Sequence, residues 1–365
     1  MRLPLPVSIA SRDGSSDKDE RMVNCLGEKE DEQIFAAVRP GLTTLTTLTG
    51  SGKGLVDWNG TLVAMYGTTM YTIGDPGFTA ITMPTGDEWQ DVSWNGTVFC
   101  AITTGFTNVA ATSPDGVTWT QRTLPSAGSW SAIAWNGSVF CAIRIGTAGG
   151  TSPDGITWTA RTLPSATWTD LSWNGTVFCA VSTSTAAATS PTGTTWTSRT
   201  LPSSSTWSSI AWNGTVFCTV GQGTSDAATS PDGITWTART LPSSQDWSSI
   251  ASNGSGFCAV ALNTSTAATS PDGITWTTRS MPVSAEWSAV SWTGLNFLAI
   301  AYNSSIAAYS PDGIDWTQIA LPSTHSWQAL GGSSSLTVAL AANTTAAALF
   351  HETSIAVSTV SGEFF

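Results

Sequence analysis

The sequence predicts an all-β protein made of tandem four-stranded units, and two recurring motifs carry that prediction. The first motif is the octapeptide Ser-Pro-Asp-Gly-Ile-Thr-Trp-Thr, whose six copies follow one another at steps of 38 to 40 residues and begin at Ser113, Ser152, Ser190, Ser230, Ser270 and Ser310. The second motif, Trp-Asn-Gly, begins at Trp58, Trp94, Trp135, Trp173 and Trp212, with weaker forms at 252–254 and 292–294. A fixed period of about 40 residues is typical of a repeat architecture.

The composition agrees with short strands and many turns. Charged residues make up only 10% of the chain, against about a quarter in ordinary globular domains. Ser, Thr, Gly, Ala and Trp take their place. The net charge is −12, and nearly all of it falls after residue 53. Because an acidic surface repels phosphate, sequence-specific binding of nucleic acid is not expected.

Each repeat divides into four strands, as the stretch from residue 168 shows. Residues 168–173 form the first strand, which ends at Asn174-Gly175, a pair that favours the tight turn of a hairpin because both residues tolerate positive φ. Residues 176–181 are apolar without alternation, which predicts a second strand covered on both faces. The third strand is 186–190, and the turn at 191–193 leads into the fourth.

The fourth strand is clearest one repeat earlier, where Ile156, Trp158 and Ala160 alternate with polar residues. This period of two marks a strand with one buried face. A four-stranded unit of this kind exposes both faces when alone, so stacked neighbours must cover it, as in the blades of a β-propeller. The hairpins near residues 58, 94, 135, 173, 212, 252, 292 and 331 predict about eight blades, with seven as the alternative.

Two regions follow from these patterns. Residues 1–41 are expected to be an extended N-terminal arm, because 12–32 is dense in charge and poor in apolar residues. It is either a floppy terminus or an arm that orders against a neighbouring subunit. Residues 42–365 are expected to form the propeller, with the ring closed by a terminal strand, either 42–48 or 355–360. No apolar run approaches the roughly 18 residues that cross a bilayer, and the first ten residues make a poor signal peptide, so synthesis in the cytoplasm without membrane association is expected.

The cysteines and tryptophans recur with the repeats. Five of the six cysteines occupy one repeat position, at Cys100, Cys141, Cys179, Cys218 and Cys258. Because Ala64 and Leu298 fill the same position elsewhere, it is interpreted as a small buried slot and not as a source of metal ligands. The 19 tryptophans also recur at equivalent positions, which favours packing between blades over platforms for sugars or bases.

Loop positions divide between two faces. In an up-and-down blade, alternate turns emerge on the same side, so the Asn-Gly and octapeptide turns share one face. The loops between second and third strands, with the links between repeats, share the other, which we call the variable-loop face. These loops differ from repeat to repeat, which makes this face the better candidate for binding. Drift in exposed loops is the alternative explanation.

The octapeptide resembles the Asp-box (BNR repeat) of sialidase-type propellers. The resemblance implies a structural hairpin in which the aspartate accepts main-chain hydrogen bonds and the tryptophan packs into the blade. The matching aspartates are Asp115, Asp154, Asp232, Asp272 and Asp312, with Thr192 in the remaining copy. The matching tryptophans are Trp119, Trp158, Trp196, Trp236, Trp276 and Trp316.

The N-terminal part resembles the opening of tail-hub or nozzle propellers (packaged-DNA stabilisation proteins) of short-tailed bacteriophages. The matching segments are 22–26, 39–42, 60–64 and 70–73. The resemblance implies a structural virion protein of the phage tail, made in the host cytoplasm and assembled as a homo-oligomeric ring with other tail proteins. It implies subunit contacts through an arm containing Met22, Val23, Asn24, Arg39 and Pro40.

The sequence favours two other functions less. The alternative is a receptor- or glycan-binding propeller of a phage tail, with a host surface glycan as partner. A sialidase-like glycoside hydrolase is the least favoured, because the Arg-Ile-Pro motif of that family is missing. Most arginines of the repeats also share one outer-strand position and cannot converge on one pocket: Arg122, Arg161, Arg199, Arg239 and Arg279. The sequence predicts no catalytic residue, no metal site and no cofactor.

Overall fold

The computed structural model describes residues 76–332 and 336–352 with their side chains, and seven further strands as backbone. The chain divides into two compact units. Unit 1 comprises Met1–Pro76 and Glu352–Phe365, and unit 2 comprises Gly77–His351. The described residues contain no helix with the length and apolarity that a bilayer crossing requires.

Unit 1 contains two antiparallel sheets among its described strands. The three-stranded sheet has the order β1-β2-β3, formed by Cys25–Glu30, Gln33–Val38 and Thr44–Thr47. The four-stranded sheet has the order β33-β6-β5-β4, where β4, β5, β6 and β33 are Gly52–Trp58, Thr61–Tyr66, Thr69–Gly74 and Ser354–Thr359. Trp58 of β4 and Thr61 of β5 are register partners in this sheet.

Unit 2 repeats one antiparallel meander. The first strands of its repeats are β8 (Trp89–Trp94), β12 (Trp130–Trp135), β16 (Trp168–Trp173), β20 (Thr206–Trp212), β26 (Trp287–Trp292) and β30 (Trp327–Gly332). The second strands are β9 (Phe99–Thr103), β13 (Phe140–Arg144), β17 (Phe178–Ser182), β23 (Phe257–Ala261), β27 (Phe297–Ala301) and β31 (Thr337–Ala341).

The outer strands complete each repeat. The third strands are β10 (Thr107–Ser113), β14 (Gly146–Ser152), β18 (Ala186–Ser190), β24 (Thr264–Ser270), β28 (Ser304–Ser310) and β32 (Ala346–His351). The fourth strands are β11 (Thr120–Gly128), β15 (Thr159–Ala166), β19 (Thr197–Thr200), β25 (Thr277–Ala285) and β29 (Thr317–His325). Two long strands each serve twice, β21 (Phe217–Ser230) as second and third strand, and β22 (Thr237–Ser252) as the fourth strand of one repeat and the first of the next.

The all-β propeller with four-stranded blades is confirmed, but the expected number of about eight blades is wrong. Over residues 77–351 the strands form six sheets, five with four strands and one with six. Two physical reasons account for the difference. The hairpin near Trp58 belongs to unit 1, and the continuous strand β22 joins two sequence repeats into the six-stranded sheet.

The strand that completes the last sheet comes from just before the first repeat. It is β7 (Gly77–Thr82), which pairs antiparallel with β32 and brings the ring of Phe78 to 5.2 Å from that of Phe350. The two segments favoured from sequence pair elsewhere, since β3 lies beside β2 and β33 lies beside β6. β7 is the outer strand of the last sheet, and the chain continues from it into β8, the first strand of the first repeat. This one segment therefore links the last sheet to the first.

The core of unit 2 lies between neighbouring repeats. The tryptophan that opens each first strand is fully buried, at Trp89, Trp130, Trp168, Trp207, Trp247, Trp287 and Trp327. One apolar cluster joins Cys141 and Ile143 of one repeat to Trp168 and Phe178 of the next. The burial of the five repeat cysteines is confirmed. Each sheet is therefore kept dry by the sheet beside it.

Candidate functional site: a polar cavity between the first strands

Every first strand of unit 2 carries a β-bulge directly after its opening tryptophan. The register with the second strand shifts between Trp168 and Asp170, and at the equivalent place in the other repeats. Neighbouring residues of a regular strand face opposite sides, whereas a bulge re-aims one of them. The two residues after the tryptophan, which we call the first and second cavity positions, therefore both reach the space between the first strands.

That space is a cavity of about 210 Å³ whose wall is mostly polar. We call it the channel cavity. It is lined by Gln90, Asp91, Ser131, Thr169, Asp170, Ser208, Ser209, Ser248, Ser249, Ile250, Ser288, Ala289, Val290, Gln328, Ala329 and Leu330. None of these sixteen residues is Lys, Arg or His.

Hydroxyl groups at the first cavity position join neighbouring repeats. The Ser208 Oγ lies 3.2 Å from the carbonyl oxygen of Val220 in its own repeat and 2.6 Å from that of Trp247 in the next. Its single hydrogen is therefore taken up by main-chain carbonyls. The same pair of contacts is made by Thr169, Ser248 and Ser288.

The junction between the last and first repeats uses glutamines at this position. Gln328 Nε2 donates a hydrogen bond to Gln90 Oε1 at 2.8 Å. The longer amide side chains thus meet each other across the junction that β7 also closes. In the second repeat, the Ser131 hydroxyl donates to the carbonyl of Ile143 at 3.3 Å.

The second cavity position supplies acceptors for the next repeat. The N–H of Ile250 donates to Ser209 Oγ at 3.3 Å, and the N–H of Val290 donates to Ser249 Oγ at 3.1 Å. Asp170 acts in the same way, since its Oδ2 accepts the N–H of Ile210 at 2.8 Å. A side-chain oxygen here therefore bridges to the main chain one repeat further on.

Each of the two aspartates accepts two main-chain N–H groups, one in the next repeat and one in its own. Asp91 Oδ2 accepts the N–H of Ile133 in the next repeat at 2.8 Å, while its Oδ1 accepts the N–H of Val92 in its own repeat at 2.8 Å. Each aspartate follows a repeat that has alanine at the second cavity position, Ala329 before Asp91 and Ala132 before Asp170. Because alanine offers no acceptor, the second carboxylate oxygen serves the N–H that the preceding repeat leaves unbridged.

Both carboxyl groups titrate above their ordinary range. Burial in the cavity wall, followed by the charge of Asp170, raises the pKa of Asp91 to about 8, although hydrogen bonds from Ile133 and Val92 act in the opposite direction. Burial also raises the pKa of Asp170 to about 6, against hydrogen bonds from Ile210 and Leu171. The channel cavity therefore gains negative charge as the pH rises through the neutral range.

The octapeptide aspartates lie in turns between third and fourth strands. Asp154 Oδ1 accepts the N–H of Ile156 at 2.8 Å and that of Thr157 at 2.9 Å, while Trp158 Nε1 donates to the carbonyl of Gly155 at 3.1 Å. Both main-chain bonds recur at Asp115, Asp232 and Asp272, and the first recurs at Asp312. The indole bond recurs at Trp119, Trp196, Trp236, Trp276 and Trp316.

These turns pack against the preceding repeat and are not gathered into one site. Gly233 has a φ of +74°, and a Cβ on it would lie 2.9 Å from Thr189 Cγ2 and 3.2 Å from Cys179 Sγ. The octapeptide turn of one repeat therefore packs against the buried cysteine of the preceding repeat. The predicted arm residues lie outside the described residues: Met22, Val23, Asn24, Arg39 and Pro40.

The recurring arginines are held apart within their own repeats. Arg239 Nε donates to Thr229 Oγ1 at 2.9 Å, and the same bond is made by Arg122, Arg161, Arg199 and Arg279. The histidines lie elsewhere, with His351 beside Thr79 at 3.1 Å and the ring of His325 at 6.0 Å from that of Trp327. Among the described residues, no three His, Cys, Asp or Glu side chains are grouped as a metal site would need.

The variable-loop face shows one exposed aromatic residue on a strained backbone. The side chain of Phe106 is 81% exposed, and its φ is +63°. Positive φ is disfavoured for a bulky residue and better tolerated by asparagine. Three other repeats have asparagine with positive φ in the corresponding turn, at Asn263, Asn303 and Asn343. Ile145, in the equivalent loop of the next repeat, is also 49% exposed.

The channel cavity was not predicted from the sequence. A signal was present, because every opening tryptophan is followed by Ser, Thr or Gln, and two of the seven then by Asp. Polar residues at consecutive positions of an otherwise buried strand break the expected alternation, which a bulge explains. The octapeptide was more conspicuous, but its polar groups are used within the turn.

Comparisons with known proteins agree with the propeller fold. A family model described as the DUF6242 beta propeller domain matches residues 82–206. No protein of curated function has a significantly similar sequence. Among solved structures, virginiamycin B lyase from Staphylococcus aureus is similar with a TM-score of 0.68 at 8% identity, over 76% of this chain and 99% of that one.

Two further solved structures show the range of proteins with this shape. YCF48 from Cyanidioschyzon merolae has a TM-score of 0.61 at 14% identity, over 75% of this chain and 98% of that one. YCF48 bound to D1 peptide has the same TM-score and identity, over 75% and 95% of the two chains. Similarity at these identities concerns the fold alone.

Proposed function

We propose that this chain is a non-catalytic structural protein, a component of the tail of a short-tailed bacteriophage that assembles as a homo-oligomeric ring. The observation that carries the proposal is the use of its recurring polar groups. The octapeptide aspartates, the outer-strand arginines and the cavity hydroxyls all form hydrogen bonds with other groups of unit 2. Side chains employed in this way support a rigid scaffold.

The N-terminal segments supply the assembly part of the proposal. The Val-Asn and Pro-Gly motifs at residues 23–24 and 40–41 resemble those of the phage proteins and are proposed to contact a neighbouring subunit. The other partners would be further tail proteins, and the protein would reside in the virion. YCF48 is a propeller bound to a peptide, which supports a propeller of this shape as a protein-binding scaffold.

Light scattering and negative-stain microscopy of the full chain test this assembly. The expected result is a ring whose mass is a multiple of 37.9 kDa. The double variant N24A/R39A should weaken the ring, because it changes the proposed arm. The variant R279A changes a residue of unit 2 outside the arm. It is the matched control and should leave the oligomeric ring intact. A monomer at micromolar concentration for the unmodified chain would overturn the proposal.

The similarity to a lyase raises the question of catalysis. One related structure is a catalytically inactive histidine-to-alanine variant of virginiamycin B lyase with quinupristin, so that enzyme depends on a histidine. Here His325 and His351 do not line the channel cavity. The cavity aspartates accept main-chain hydrogen bonds from neighbouring repeats, which supports a structural role. Incubation with quinupristin should leave the compound intact, and its cleavage would contradict the non-catalytic assignment.

A receptor- or glycan-binding role is the second candidate, and Phe106 is the observation that favours it. A strained and exposed aromatic side chain on the variable-loop face is the kind of residue that binding surfaces retain. A glycan array with the full chain tests this role. Binding that disappears in the variant F106N would support it, whereas an array without signal at high protein concentration would remove it.

A further inference from the structure

In the wall of the channel cavity, the serine and threonine hydroxyls donate their hydrogens within the fold and keep acceptor lone pairs, while the amides of Gln90 and Gln328 also present N–H groups. A serine or threonine hydroxyl has one hydrogen and two acceptor lone pairs. At Thr169, Ser208 and Ser248 that hydrogen is used by main-chain carbonyls at 2.6 Å in the next repeat. The oxygens of these lining hydroxyls therefore keep acceptor lone pairs.

The carboxyl groups add further acceptor capacity. An ionised carboxylate has about four lone-pair sites. Asp91 uses two of them for the N–H groups of Val92 and Ile133. Asp170 uses three, for Leu171, Ile210 and the hydroxyl of Ser209. Since none of the described residues that line the cavity is Lys, Arg or His, no cationic side chain among them balances these charges.

We propose that the channel cavity binds an aliphatic primary ammonium group. Such a group carries three N–H donors and one positive charge on a compact head, which match a wall of hydroxyl and carboxylate acceptors. The cavity volume of about 210 Å³ corresponds to about seven water molecules at roughly 30 Å³ each. That space suits a short alkylamine or the side chain of a lysine.

An ammonium group fits this wall better than a bare metal ion. The described residues gather no three His, Cys, Asp or Glu side chains that could coordinate one ion. Asp91 and Asp170 also lie on different first strands, β8 and β16. The first strand of the intervening repeat, β12, separates them in the chain. An extended aliphatic cation can approach one carboxylate with its head while its stem occupies the remaining space.

Binding should be linked to proton release. Among the sixteen lining residues the charged and titratable groups are Asp91 and Asp170, whose pKa values are raised to about 8 and about 6. A cation favours the ionised form of a neighbouring carboxyl group. We therefore expect the affinity to rise between pH 6 and pH 9, with protons released on binding near pH 7.

Isothermal titration of the full chain with 1,5-diaminopentane at pH 8 tests the proposal, and 1,5-pentanediol is the neutral control of the same length. The expected result is saturable binding of one diamine and no binding of the diol. The variants D91S and D170S keep an acceptor for the next repeat, as Ser209 and Ser249 do, and lose the carboxylate oxygen that accepts the N–H of Val92 or Leu171. Each should weaken binding by about tenfold or more.

Two arms of the experiment separate the sources of the ammonium group. Binding of the diamine alone indicates a free alkylamine, while binding of Nα-acetyl-lysinamide as well indicates a lysine side chain of a partner protein. Equal heats for diamine and diol, or unchanged affinity in a D91S or D170S variant shown to be folded by circular dichroism, would overturn the proposal. So would the absence of binding by either amine at millimolar concentration. These outcomes do not depend on the oligomeric state.

Discussion

Replacing Gly233 by alanine probes the packing of one repeat on the next. Gly233 has a φ of +74°, and an added Cβ would lie 2.9 Å from Thr189 Cγ2 in the preceding repeat. A left-handed backbone costs an L-residue about 1–2 kcal/mol, and overpacking a tight contact costs about 1–3 kcal/mol. The free energy of unfolding should therefore fall by about 2–5 kcal/mol, measured by urea titration followed through tryptophan fluorescence.

A matched glycine separates the two contributions. Gly175 has a φ of +93° but no heavy atom within 4 Å of its would-be Cβ. The variant G175A should lose only the backbone part, about 1–2 kcal/mol. Adding T189S to G233A removes the crowded methyl group and keeps the hydroxyl that Arg199 binds, so part of the loss should return. Equal losses in G233A and G175A, without any recovery in the double variant, would refute the packing of repeat on repeat.

Three further predictions use other features of unit 2. The variant F106N should raise the free energy of unfolding by about 1 kcal/mol in urea titration, because asparagine tolerates the φ of +63° better than phenylalanine; a loss of stability would contradict the strain. The thermal stability of the wild type should fall from pH 5 to pH 8, because Asp91 and Asp170, raised to about 8 and about 6, hold protons in the folded state that the unfolded chain has already released. The double variant D91S/D170S should show a smaller fall, and an identical fall would refute this cause. Burial raises the pKa of Cys179 and the other repeat cysteines, so iodoacetamide at pH 8 should label them only in the unfolded protein, and labelling in the native state, detected by mass spectrometry, would contradict their burial.

The repeat architecture could be predicted because it is written in local patterns. The octapeptide period, the Asn-Gly hairpins and the alternation of Ile156, Trp158 and Ala160 depend on neighbours in sequence. The burial of the repeat cysteines followed from the small residues that replace them. These features describe one repeat and its immediate packing, which sequence patterns report well.

The number of sheets and the closing strand depend on pairings between distant segments. Nothing local distinguishes residues 77–82 from residues 42–48 as partners for β32, since both are short apolar stretches. The merging of two repeats through β22 likewise depends on a continuous strand between them. Pairings between segments so far apart in sequence depend on the folded arrangement of the strands, which local patterns do not report.

The channel cavity could not be predicted from strand alternation, because a β-bulge in each first strand changes which residues face it. Asp91 and Asp170 would face away from the first cavity position in a regular strand. The register shift after each opening tryptophan brings both positions to the cavity wall. Their structural partners, Ile133 and Ile210, lie about one repeat away in sequence, so no window of a few residues contains the contact.

Closure of the ring by β7 is the claim on which the account of unit 2 depends, and an engineered disulfide tests it directly. Thr82 and Ala346 are register partners in the β7–β32 ladder, at a Cα separation that antiparallel pairs and disulfides share. In the variant T82C/A346C, peptide mapping after mild oxidation should find these two cysteines joined, and the melting temperature should rise. Two free thiols at these positions in a folded protein would contradict the closed ring.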